Sequence, residues 1–234
     1  MTNISVFIGG IAALPDSGRP TGIYKHSVHS ALQLGPEGFA GDEQADRRVH
    51  GGPEKAVHLY PAAHYARLAD RFPAAAAQLQ PGSLGENISS PTLDETRVRV
   101  GDIFQLGAAR LQACQPRTPC WKIDERFACP GMAAYIAEQR LTGWYFRVLQ
   151  PGTVLPAASL ELVASSADAP SFAAATTLWA THRPTPAALR QLAATPGIAT
   201  HWRRKIVDRL AWLEKLGDEA APPPAFHVKP EAGQ

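Results

Sequence analysis

Cysteine, methionine and net charge are all scarce in this 234-residue chain, and each shortage removes a class of protein. The three cysteines, Cys114, Cys120 and Cys129, are odd in number and lie close together. With no secretory signal ahead of them they read as free thiols rather than a disulfide framework. They lack CxxC spacing, which argues against a structural zinc site, and they do not form an iron–sulfur set. A formal net charge of +2 provides no global field for a nucleic-acid polymer, although a local basic pocket is compatible with it. No apolar run approaches the ~18 residues of a membrane span. The opening MTNISVFIGG has no basic stretch before an apolar core, so a cytoplasmic location with no membrane association is expected. GxGxxG and GxxxxGK[ST] are missing, and with them the usual nicotinamide, flavin and P-loop signatures.

What remains is an ordinary apolar fraction, 45%, arranged in two styles. Up to about residue 165, short β-rich runs are bounded by Gly and Pro: ISVFIGGIA, GIYKHSV, KAVHLY, RVRVGDIFQLG, ARLQACQ, WYFRVL and LELVAS. Runs spaced in this way predict a barrel or folded antiparallel sheet rather than βαβ units. Helices are expected over 61–72, with Ala62, Tyr65, Leu68, Ala69 and Phe72 on one stripe, and over 131–140, with Met132, Tyr135 and Ile136. The expected fold is mainly β with α additions. From 168 to 216 the pattern changes to three helices punctuated by Pro and Gly, the last with Trp202, Ile206, Arg209, Leu210 and Leu213 on one face. Residues 217–234, rich in Pro and Ala, read as a disordered tail. The expected division is therefore 1–165, 168–216 and the tail, with no internal repeat.

Three segments carry polar or glycine-rich content beyond the needs of a core. In GDEQADRRVHGGPEKAVHLYP (41–61), His50, Gly51, Gly52 and Pro53 form a tight turn followed by Lys55; it reads equally as a hairpin turn with solvated charges. In GSLGENIS (82–89), Glu86 and Asn87 can bind a polar ligand or close their own Asx-type turn. In QPRTPCWK (115–122), Pro116 and Pro119 stiffen the chain around Cys120, while Arg117 and Lys122 flank it. Neighbouring cations favour a thiolate, the reactive and metal-binding form, although a chance surface thiol would carry the same neighbours. GWYFRV (143–148) alternates as a half-buried strand, which would let Arg147 reach a pocket.

Taken together and in this order, the HGGPEK turn, GENIS, GDIFQLG, QPRTPCWK and GWYFRV resemble the MOSC domain family, named for the C-terminal domain of molybdenum cofactor sulfurase. The three helices that follow resemble its stand-alone bacterial branch associated with resistance to 6-N-hydroxylaminopurine. The resemblance spans roughly residues 1 to 215. It implies a MOSC β-barrel-like domain followed by a small three-helix segment. It also implies a pterin-based molybdenum cofactor (Mo-molybdopterin) and the reduction of N-hydroxylated substrates to amines, a detoxifying reaction. The family's motif cysteine coordinates molybdenum through sulfur, and here that residue is Cys120. The resemblance carries over His50, Gly51, Gly52, Glu86 and Asn87 as cavity lining. Residue chemistry adds Lys55, Arg117, Lys122 and Arg147 as cations for the cofactor's phosphate, with Thr118 of the same loop as a further cofactor-binding candidate.

His50, whose ordinary pKa lies near neutrality, is the candidate proton donor; capping the glycine turn is its structural alternative. With no flavin or nicotinamide signature in the chain, the two electrons must come from a separate reductase, most simply an NAD(P)H-dependent flavoprotein. The basic run Trp202-Arg203-Arg204-Lys205 could dock that donor or could be a solvated helix face. The helical segment also offers a surface for a homodimer. The same cysteine loop would serve a carrier that hands the cofactor on without turnover. A thiol hydrolase pairing Cys120 with His50 is a more distant reading.

Overall fold

The computed structural model describes residues 2–156 and 158–215, so the tail expected over 217–234 lies outside the described residues. Nine strands form one curled, half-barrel sheet in the order Thr2–Asn3, Ser159–Ala164, Ile103–Leu106, Ala109–Pro116, Trp144–Gln150, Val57–Pro61, Ile88–Ser90, Ser5–Ile8 and His26–Ser27. Every pairing is antiparallel except Val57–Pro61 with Ile88–Ser90. The alternation read in GWYFRV holds: Trp144 and Phe146 face the core, and Tyr145 and Arg147 face the other way. In Ala109–Pro116 the alternation fails near its end. The register shifts between Ala113 and Gln115, making Cys114 the extra residue of a bulge directly ahead of the QPRTPC loop. Cys114 is a buried small hydrophobe, and burial pushes its thiol up to about 12.

RVRV, expected to open a strand, does not. Val98 and Val100 are buried, but their backbones bond Phe172 and Pro170 of the next segment. Gly101, at φ +91°, turns the chain before the strand begins at Ile103. Pro61 ends a strand instead of opening a helix, and the helix runs over Ala63–Arg71. The HGGP turn is not a hairpin: it joins a short helix, Arg47–His50, to a 3₁₀ turn, Pro53–Lys55.

The later helices span Phe172–Ala180, Pro186–Ala193 and Thr200–Lys215. Ser171 and Thr185 start the first two by accepting the Ala174 and Ala188 N–H groups, the expected work of N-cap hydroxyls. Phe172, Leu189, Leu192, Trp202 and Ile206 sit in one hydrophobic cluster with the sheet's Leu111, Trp144 and Phe146. Phe172 stacks on Trp144 with ring centres 5.5 Å apart. Among the described residues no helix is long and apolar enough to cross a membrane.

Candidate functional site

The turn after the Cys114 bulge carries QPRTPC to the rim of an open cleft of about 660 Å³, counted out into its mouth. The cleft gathers six of the residues singled out by sequence, His50, Lys55, Asn87, Arg117, Cys120 and Lys122, from three separate segments. Cys120 ends an irregular stretch, and the helix Lys122–Phe127 starts two residues later. Lys122 Nζ donates to the Pro20 carbonyl at 2.8 Å, and the Arg19 guanidinium lies 5.5 Å over the Trp121 ring. Glu125 accepts the Asp16 and Ser17 N–H groups at 3.0 and 2.6 Å. These contacts clamp the hairpin of Ala12–Ala13 and Pro20–Thr21 onto the cysteine's helix, so Thr21, Gly22 and Ile23 form one wall.

The remaining candidates fall outside the cleft wall. Gly51 and Gly52 shape the turn between His50 and Lys55, with Gly52 at φ +93°. Thr118 is exposed. Glu86 is fully buried behind the wall, accepting from Tyr65 Oη at 2.5 Å and from the Gly82 and Leu84 N–H groups at 2.6 and 3.2 Å. It braces the GSLGEN loop from within, and burial raises its pKa against the opposing pull of the Tyr65 hydroxyl and the Gly82 N–H. Arg147 is the clear correction. Its guanidinium donates to Glu54 Oε1 at 2.8 Å, Gln112 Oε1 at 3.1 Å and the Ile198 carbonyl at 3.3 Å, away from the cleft. Glu54 also accepts the Thr200 N–H at 2.9 Å and the Thr200 hydroxyl at 3.1 Å. One carboxylate thus ties the HGGPEK turn to the start of the last helix.

Four wall residues, Lys25, Asp42, His58 and Tyr145, carry polar groups that sequence reasoning missed. Lys25 Nζ and Asp42 form a buried pair at 2.5 and 2.6 Å. Asp42 further accepts from Gly9 N–H at 3.0 Å and Asn87 Nδ2 at 2.9 Å. A lysine in GIYKHSV and an aspartate seventeen positions on give no local signal of such a pair.

Four cations, Lys25, Lys55, Arg117 and Lys122, line the cleft against two carboxylates, Asp42 and Glu43. The Arg117 guanidinium makes no hydrogen bond or ion pair among the described residues. Burial first, then Arg117, Lys122 and Lys55, push His50 down from its ordinary 6.5 to about 4. His50 is therefore neutral at pH 7, and the protein by itself does not hold it as a charged donor. The linkage has a definite sign. As pH falls from about 6.5 to about 4, unfolded His50 takes up a proton that the folded site refuses, so stability is lost across that window. Denaturant unfolding of wild type and His50→Gln at pH 7.5 and 4.5 should show a smaller pH-dependent loss in the variant. Equal losses would remove His50 as the source.

With this geometry, similarity to known proteins is informative. A MOSC domain model matches residues 46–161. Protein YiiM of Escherichia coli (strain K12) is 37% identical over 207 residues, covering 88% of this chain and 91% of YiiM. The crystal structure of YiiM from Escherichia coli aligns with a TM-score of 0.76 at 29% identity, covering 91% and 94% of the two chains. A protein named reductase from Gibberella moniliformis is 32% identical over 142 residues, which is 60% of this chain but 25% of that protein. This chain belongs to the MOSC domain family. Its similarity to YiiM runs along nearly the whole length of both chains.

Among the described residues, no three His, Cys, Asp or Glu side chains converge as a metal site. A metal in this cleft would take one protein sulfur, Cys120, and draw its other ligands from an organic partner. A cation-lined cleft with an unpaired arginine and one thiol suits an anionic, phosphate-bearing metal cofactor.

Proposed function

We propose that the protein is a molybdenum-cofactor-dependent reductase that converts N-hydroxylated compounds, including hydroxylaminopurines and related base analogues, to amines. The observation that supports this most is Cys120 in the wall of a cleft that also holds Arg117, Lys122, Lys55 and His50. Cys120 would supply the thiolate ligand, and Arg117, Lys55 and Lys122 would hold the cofactor's phosphate. Asn87 is already committed on both amide atoms, donating to Asp42 and accepting from the His58 N–H, so it shapes the wall. When bound, the molybdenum cofactor supplies the two-electron chemistry that removes the hydroxylamine oxygen.

The chain's own task is to orient the substrate, keep bulk water from the reacting atoms and deliver protons. An anion bound beside Arg117, Lys122 and Lys55 offsets the cations that depress His50 and returns it toward a proton-donating range. Electrons come from a separate NAD(P)H-dependent flavoprotein in the cytoplasm.

The test is direct. Protein made in a host that synthesises the cofactor should contain about one molybdenum and one pterin per chain. It should reduce 6-N-hydroxylaminopurine with an artificial low-potential donor. Cofactor without turnover would favour a carrier, and absence of both would overturn the reading.

A further inference from the structure

His58 is a wall residue with one ring nitrogen left over. It is 3% exposed and lines the cleft. Its Nε2 lies 3.3 Å from the Thr142 carbonyl, which can only accept, so Nε2 carries the hydrogen and Nδ1 the lone pair. The N–H of the same peptide group, on Gly143, donates to Glu95 Oε1 at 2.7 Å. Glu95 Oε2 is in turn 2.8 Å from His64 Nε2. One peptide unit is thus bonded at both ends, which polarises its carbonyl toward His58 and fixes the tautomer. Tyr145 packs against the imidazole with ring centres 5.1 Å apart, and the His58 N–H donates to Asn87 Oδ1 at 3.1 Å.

Among the described residues nothing donates to Nδ1. Of the other acceptors in the wall, Asp42 receives Gly9, Lys25, Gln44 and Asn87, Asn87 Oδ1 receives His58 itself, and the exposed Glu43 receives the Ile11 N–H at one oxygen. Nδ1 opens onto the cleft rather than being sealed in the core, so a donor brought by a ligand replaces water there for a net gain of about 0.5–1.5 kcal/mol. Lys25, Arg117 and Lys122 equip the cleft to donate to a ligand; His58 Nδ1 equips it to accept.

We propose that His58 Nδ1 accepts a hydrogen bond from the N–H or O–H of the substrate's hydroxylamino group, and so selects substrates that keep a free hydrogen there. The proposal rests on the reductase reading of the cleft. Analogues with both hydrogens replaced by alkyl groups would displace water from Nδ1 and offer it no donor in exchange, so they should bind more weakly.

The test is isothermal titration calorimetry with 6-N-hydroxylaminopurine on protein from a cofactor-competent host. His58→Gln can still reach the Thr142 carbonyl but leaves no acceptor at the Nδ1 position, whereas His58→Asn does the converse. His58→Gln should bind about 10-fold more weakly and His58→Asn within about 3-fold of wild type, as expected for one lost hydrogen bond. Both should keep the wild-type molybdenum content. Equal affinity of wild type and His58→Gln, or equal loss in both variants, overturns the assignment. With wild type alone, the N-methyl-N-methoxy analogue should bind about 10-fold more weakly, so the proposal does not depend on either variant folding; equal affinity overturns it as well. A wild type that binds the probe without turnover refutes only the reductase reading. One that does not bind overturns both.

Discussion

Cys120→Ser is expected to give a folded protein that retains almost no molybdenum and reduces no N-hydroxylated base. Serine is close to isosteric, but its hydroxyl stays protonated near neutrality and is a hard donor, whereas a thiolate is soft and suited to a redox-active metal. Losing an outer-shell partner already costs about 10–100-fold in metal affinity, so losing the ligand proposed here should cost more. The fold should hardly respond. Cys120 is half-buried, and its contribution to the loop is a backbone carbonyl that accepts the Ile123 N–H, which serine keeps. A stability change within about 0.5 kcal/mol is expected. Metal analysis beside a thermal melt separates the two effects, and a variant that holds as much molybdenum as wild type would remove Cys120 from the site.

Gly143→Ala should do the reverse, breaking the fold first and the site through it. Gly143 has φ +61°, and an added Cβ would lie 2.1 Å from the Leu59 carbonyl oxygen, 3.1 Å from its carbon and 3.2 Å from His58 Nε2. The left-handed conformation alone costs an L-residue about 1–2 kcal/mol. The clash cannot be relieved by a rotamer, because Leu59 is paired with Trp144 in the centre of the sheet. A loss of at least about 3 kcal/mol is expected, or roughly 6–12 °C in Tm for a chain of this size. The displacement also reaches the cleft, since Gly143 accepts the Arg117 N–H at 3.3 Å and donates to Glu95. An unchanged melting temperature would refute the packing account.

Much of this was legible in the residues, and the limits have physical causes. The strands at Val57, Ala109 and Trp144 announced themselves by apolar runs or alternation, because sheet faces are buried with period two. Ile88–Ser90 did not: three residues cannot establish a period, and its parallel pairing to Val57–Pro61 is invisible locally. The stiff loop of Cys120 was readable because prolines and cations mark it in one short stretch. His58 was not, since in KAVHLY it occupies an ordinary strand position and only tertiary contact with Thr142 and Asn87 gives it a role. Arg147 shows the finer limit. Alternation correctly puts it on the same side of its strand as Tyr145, and Tyr145 does line the cleft. Two residues along a strand is about 6.6 Å, however, and at that distance Glu54 captures the guanidinium.

Glu54 is a shared anchor. The same carboxylate holds Arg147 in the sheet and Thr200 at the head of the 16-residue helix Thr200–Lys215, and it sits in the turn Pro53–Lys55. Loss of that one side chain would therefore loosen two segments at once, the start of the helix and the stretch that carries His50 and Lys55 to the cleft.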